Sequence, residues 1–136
     1  MNAQRLARQL IVDEGLRLKP YRCTAGRLTI GVGRNLDDRG LTEAEALLLL
    51  DNDIKACWGQ LATALPWVVQ APEAVQEVLV NMCFNLGLDG LLGFRRTLAY
   101  LKVGLCMDAA DEMLRSRWAG QVGARAERLA QRLREL

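Results

Sequence analysis

Apolar and polar positions follow two different periods along this chain, and the period changes near residue 16. Ala3, Leu6, Ala7 and Leu10 recur at helical spacing and predict an amphipathic helix at the start. Glu14 falls on the same stripe, while its neighbour Asp13 points elsewhere. A carboxyl group on an apolar face loses hydration, so the pattern predicts a partly desolvated acid with a raised pKa. Gly15 follows as a helix stop.

From 16 to 36 the pattern turns to strand. Pro20 opposes helix, Thr24-Ala25-Gly26 reads as a turn, and Leu28, Ile30 and Val32 alternate with Thr29, Gly31 and Gly33. The prediction is a small hairpin or meander. Gly31 and Gly33 leave room for another group to approach the backbone. Asp37 to Gly40 is a surface turn. Thr42 and Glu45 form a capping box opening a long helix to about Leu65, and Pro66 ends it. Pro72 and Glu73 open another helix. Its apolar residues, among them Val75, Val78, Leu79, Met82 and Leu86, cover nearly every face, as in a central buried helix. Gly87, Gly90 and Gly93 punctuate turns, and further helices are predicted at roughly 94–103, 108–118 and 122–134. The fold class is α+β, mostly α, in one domain over 1–136. It has a small β lobe at about 14–41, a connecting helix at about 42–65, and a helical lobe at about 66–136 plus the N-terminal helix.

Composition narrows the chemistry. A chain of 136 residues suits one domain, and a net charge of +2 does not mark a dedicated nucleic-acid binder. The chain has no histidine, which removes Ser-His-Asp and Cys-His systems and every histidine-containing metal site. Cys23, Cys57, Cys83 and Cys106 are far apart with no C-x-x-C pair, so free thiols are expected and neither a metal nor a cofactor. The first ten residues carry two arginines and no apolar core of a secretory leader. The longest apolar run, Ala46 to Leu50, is too short to span a bilayer, so no stable membrane insertion is expected. The C-terminal stretch with Arg125, Arg128, Arg132 and Arg134 reads as a basic amphipathic helix covering a core, with contact to an anionic lipid surface as the alternative. Trp58, Trp67 and Trp118 read as packing residues.

One spacing stands out. Glu14 is followed after eight residues by Cys23, and Cys23 after five by Thr29. An acid at a helix end, with a thiol and a hydroxyl on a strand region that folds back over it, suits glycosidic cleavage, which takes two groups flanking the bond. A thiol stabilises developing positive charge only as thiolate, and the charges of Arg22 and Arg27 are expected to favour that form. The bland alternatives are a solvated glutamate, an inert cysteine beside a turn, and a strand-favouring threonine.

The ordered set Asp13-Glu14-Gly15, Tyr21-x-x-Thr24-x-Gly26, Thr29-Ile30-Gly31-Val32-Gly33, Asn81-Met82-x-Phe84-Asn85-x-Gly87, Gly93-Phe94 and Ser116-Arg117-Trp118 resembles the phage-type lysozymes of glycoside hydrolase family 24. The resemblance covers most of the chain in a consistent order. It implies a two-lobe lysozyme-like fold and hydrolysis of the β-1,4 bond between N-acetylmuramic acid and N-acetylglucosamine by an endolysin. It implies Glu14 as general acid, Cys23 as second catalytic group, Thr29 as catalytic threonine and Arg125 as the partner that orients the acid. Asn35, Phe84, Thr97 and Glu112 fall at substrate-contact positions. Cys23 replaces the aspartate of better-known members, and Arg34 stands where many relatives have histidine. The implied partner is a peptidoglycan glycan strand, acted on by a monomer. The enzyme would wait in the host cytoplasm and reach the wall in the periplasm after holin-mediated release. The competing readings are a peptidoglycan-binding protein weakened by the change to Cys23, and a small helical DNA-binding domain.

Overall fold

A computed structural model describes residues 1–136, and its contacts group the chain into two units, Met1–Leu48 and Leu49–Leu136. The chain is mostly helical with one small antiparallel sheet. In the first unit, α1 runs over Ala3–Glu14. Asn2 caps it by accepting the Arg5 N–H at 2.9 Å, and Gly15 ends it at a φ of +79°, a conformation that glycine adopts without strain. No residue of α1 is buried, and Leu6 and Leu10 are exposed.

The sheet has three strands in chain order, β1 (Arg17–Arg22), β2 (Leu28–Gly31) and β3 (Arg34–Asn35), each antiparallel to its neighbour. The predicted meander is therefore present, with β1 as a strand the residue pattern did not reveal. Arg17, Lys19 and Arg22 give β1 little apolar alternation, and Pro20 argues against a ladder. An edge position resolves the conflict, since proline's missing N–H then costs no interior bond. The register slips between Arg17 and Tyr21, across the segment that holds Pro20. Tyr21 and Asn35 both pair with Thr29, which places one residue of each strand on a common row. Thr29 is the only residue of this unit classed as buried, so polar links hold it together. Asp37 accepts the Leu28 N–H at 2.7 Å. Arg34 grips Glu45 with two nitrogens, at 2.6 and 2.9 Å, and donates to the Gly40 carbonyl.

Helix α2 (Glu43–Ala64) opens on the predicted capping box. Thr42 Oγ1 accepts the Glu45 N–H at 3.2 Å, and Glu45 Oε1 accepts the Thr42 N–H at 2.9 Å. The boundary between the units falls inside α2.

The second unit continues through a short 3-10 turn, Pro66–Gln70, to α3 (Glu73–Leu92), α4 (Arg95–Lys102), α5 (Cys106–Leu114), α6 (Arg117–Val122) and α7 (Ala124–Arg134). As its all-round apolar pattern predicted, α3 is central, and Val75, Val78, Leu79 and Met82 are at most 1% exposed. Gly87 breaks it with a φ of +75°. Burying each such side chain stabilises by about 1.5–3 kcal/mol. Helices α5 and α7 are the most extensively packed pair; their buried Ala109, Ala110, Ala126 and Ala130 are small enough to let the helices approach closely. The single helix expected at 108–118 is two. Ser116 divides them, donating to the Met113 carbonyl at 2.6 Å and accepting the Ala119 N–H at 3.1 Å as the cap of α6.

Trp118 is buried, donates to Asn85 at 2.8 Å and meets Phe94 edge-on at 5.8 Å, while Trp58 and Trp67 pack against the core. The four cysteines are free. The basic face of α7 is partly paired, Arg132 with Glu77 and Arg134 with Asp111 at 2.8 Å. Its opposite face buries Leu129 and Leu133. No single helix is long and apolar enough to cross a membrane.

Candidate active site

Glu14 is the last residue of α1, just before the Gly15 stop, so its side chain leaves the helix where the chain turns into the sheet. The carboxylate lies against the backbone of Gly33, in the turn between β2 and β3. A Cβ added there would sit 2.8 Å from Glu14 Oε2 and 3.1 Å from its Cδ. Gly33 thus supplies the close approach that the glycine pattern foresaw, and Glu14 is the group that approaches. Gly31 has nothing within 4 Å and serves its backbone conformation alone, at a φ of +69°. The expected desolvation of Glu14 is not found, because α1 buries none of its stripe and the acid is exposed.

Cys23 directly follows β1 and is half-buried at the turn before β2. Its N–H donates to the Arg27 carbonyl at 3.0 Å, and its carbonyl accepts the Gly26 N–H at 2.8 Å. The thiol is held below the ordinary cysteine value. The main causes are hydrogen bonds from the backbone at Arg27 and Ala25; burial opposes them, and the Thr29 hydroxyl lowers it further by less. The direction matches expectation and the cause does not. Arg22 is turned to Asp37 and to the Gly26 carbonyl, and Arg27 to Asp38, so neither guanidinium serves the sulfur. A reversing turn aims successive N–H groups inward, and residue charge patterns do not reveal that.

Thr29, 3% exposed, donates its hydroxyl to the Arg27 carbonyl at 2.8 Å. A hydroxyl has one proton and can rotate, so it bonds either that carbonyl or a sulfur anion, and still accepts from water. Its strand neighbour Asn35 is committed to a local turn, accepting the Asp38 N–H and donating to the Asp38 carboxylate, each at 2.9 Å.

In the second unit, an apolar groove of about 550 Å³ is lined by Leu50, Ile54, Trp58, Val80, Phe84 and Arg125, among others. Phe84 is 46% exposed, so its ring is not core. Arg125 donates to Asn81 Oδ1 at 2.8 Å and to the Asn81 carbonyl at 3.2 Å. The helix expected at 122–134 begins later, since Val122 ends α6 and Gly123 breaks the chain before α7, whose first turn carries Arg125. A second pocket of about 470 Å³ has Thr97 and Glu112 in its wall.

A sequence profile described as phage lysozyme matches residues 12–135. The chain belongs to the phage lysozyme family. As a phage lysozyme it is a peptidoglycan-lysing hydrolase of the glycosidase class. It is 24% identical to "Probable T4-type lysozyme 1" of Dictyostelium discoideum, over 86% of each chain. It is 34% identical to "Endolysin" of Acyrthosiphon pisum secondary endosymbiont phage 1, over 55% of this chain and 52% of that one. It is 31% identical to "SAR-endolysin" of Bacteriophage PS119, over 79% of this chain and 65% of that one. The chain therefore spans about half the length of the first endolysin and just under two thirds of the second.

In this lysozyme the positions singled out from sequence fall into separate groups. Thr29 lies beside Cys23 and pairs with Asn35, Phe84 shares a groove with Arg125, and Thr97 shares a pocket with Glu112. Sequence reasoning expected a close approach at the glycines without naming Glu14 as the group that makes it, and missed the Ala25 and Arg27 backbone as the source of the thiol's acidity. The closely spaced Gly31 and Gly33 signalled the first; nothing in the residue types signalled the second.

Proposed function

We propose that the protein hydrolyses the β-1,4 bond between N-acetylmuramic acid and N-acetylglucosamine, and so lyses a bacterial host at the end of a phage cycle. Glu14 donates a proton to the departing sugar oxygen. The ring then gains positive charge, and water attacks from the opposite side. Cys23, as thiolate, stabilises that charge and draws a proton from the water, while Thr29 orients the water through its hydroxyl. Arg125 carries the family role of orienting the acid, and Asn35, Phe84, Thr97 and Glu112 carry substrate contacts. The small lobe is residues 14–41, and the helical lobe is 66–136 with the N-terminal helix. The enzyme acts as a monomer without metal or cofactor. It is made in the host cytoplasm and reaches the periplasmic wall through a holin lesion.

The observation that carries this reading is the environment of Cys23. Backbone donors and a neighbouring hydroxyl favour its anion, which is what a thiol needs in order to replace a carboxylate. The test is clearing of outer-membrane-permeabilised Gram-negative cells, with mass analysis of the released muropeptides. The wild type should clear and leave reducing N-acetylmuramic ends; Glu14→Gln should not clear, and Cys23→Ser should lose most activity. Wall binding without clearing would make the protein a binder. Anhydro ends would make it a transglycosylase, and full activity in Cys23→Ser would remove the thiol from the reaction.

A further inference from the structure

Two of the four cysteines face one another inside the second unit. Cys57 lies on α2 and is half-buried, and Cys83 lies on α3 and is 2% exposed. The Cys57 thiol is a hydrogen-bonding neighbour of Cys83. A second contact fixes the same approach of the two helices: Cys83 Sγ lies 4.0 Å from Gln60 Oε1, one turn along α2 from Cys57.

The pair sits where a covalent tie has something to hold. Leu61 is the only buried residue of α2, so little apolar area binds that helix to the core. Cys57 stands one turn before Leu61 on the same face. The residue after each cysteine, Trp58 on α2 and Phe84 on α3, lines the apolar groove, so the pair links its two walls. Burial, then Cys57, pushes the Cys83 thiol up to about 11, which keeps it protonated and unreactive toward reagents in solution. Cys57, the more exposed of the two, is the thiol an outside reagent meets first.

We propose that Cys57 and Cys83 form a disulfide that ties the α2 and α3 walls of the groove together once the chain meets an oxidising compartment. The place of oxidation rests on the reading that the protein passes from cytoplasm to periplasm, where disulfides persist. The oxidant is another disulfide, of the class carried by thiol–disulfide oxidoreductases or oxidised glutathione. The Cys57 thiolate attacks one donor sulfur and releases the other as a thiol, which leaves Cys57 in a mixed disulfide. Cys83 then gives up its proton and attacks Cys57 Sγ, releasing the second donor sulfur as a thiol. Two protein thiols become one disulfide, and two electrons and two protons pass to the donor.

The experiment incubates the folded, fully reduced chain with oxidised glutathione, blocks remaining thiols with iodoacetamide and maps the peptides by mass. A peptide cross-linked through Cys57 and Cys83 should dominate. Tm should rise by about 5 °C or more, because the bond closes the segment that carries the 3-10 turn at Pro66–Gln70. Dithiothreitol should reverse both changes. Cys57→Ser should lose the cross-link and the rise in Tm. Cys57 is only half-buried, so this variant should keep its fold, checked by circular dichroism in the reduced state. Glutathione left on Cys57 with Cys83 still a thiol, a cross-link that forms only in urea, a link from either cysteine to Cys106 instead, an unchanged or lower Tm in the linked protein, or a full rise in Tm in Cys57→Ser would each overturn the proposal. Turnover plays no part in this readout, so failure of wild-type wall clearing would be a separate result, bearing only on the hydrolytic reading.

Discussion

Replacing Gly33 with alanine tests whether the acid is placed by the turn beneath it. The added Cβ would lie 2.8 Å from Glu14 Oε2, 3.1 Å from Cδ and 3.2 Å from Cγ. Ordinary contacts lie at about 3.5–4.0 Å, so the side chain must retreat by roughly 0.5–1 Å. All three atoms are close, so turning the carboxylate alone gives no relief. The φ of +63° adds about 1–2 kcal/mol of backbone strain once a Cβ is present. Gly31→Ala is the matched control, with a φ of +69° but nothing within 4 Å. Both variants should lose about the same stability, lowering Tm by a few degrees, about 3–6 °C. Only Gly33→Ala moves Glu14, the proposed proton donor, and a misplacement near 1 Å costs about 100-fold in rate. Thermal unfolding by circular dichroism and initial rates of wall clearing measure the two effects on the same preparations. Equal activity in the two variants would show that contact with Gly33 does not position the acid. A much greater loss of stability in Gly33→Ala would show that the glycine supports the fold more than the chemistry.

Two further outcomes follow from the thiols and from the polar link in the first unit. Cys23, held below the ordinary cysteine value, should react with iodoacetamide at neutral pH at least about tenfold faster than Cys83, by peptide mass mapping. Burial, then the neighbouring Cys57, pushes Cys83 up to about 11, so earlier labelling of Cys83 would contradict the assignment. Glu45 is held down to about 2 by its hydrogen bonds from Arg34 and from Thr42. A depressed carboxyl contributes stability above its unfolded pKa and loses it as pH falls through the folded one. Urea midpoints should therefore decline from about pH 5 towards pH 2. Glu45→Gln should flatten that decline, and an identical pH profile in the variant would refute the link.

Much of the architecture was readable from residue order. The capping box at Thr42 and Glu45, the glycine stop after Glu14 and the all-round apolar helix after Pro72 each report a local or one-dimensional requirement. Strand β1 was not readable, because its charges and Pro20 suit only an edge, and an edge is a property of the assembled sheet. The split at Ser116 was also hidden, since a serine in an apolar pattern is equally a helix residue or a cap until its hydrogen bonds are known.

By itself the sequence determined which residue types are available for chemistry: an acid, a thiol and a hydroxyl in a fixed order, no histidine, and a helical scaffold to carry them. Only tertiary structure decided what surrounds each one. It put the Gly33 backbone under Glu14, turned Arg22 and Arg27 away from Cys23, and brought Thr97 and Glu112 into the wall of one pocket. Helix and strand periods arise from neighbours a few residues apart. Acidity and binding arise from atoms brought close by the chain's return, and that proximity is set by the whole fold.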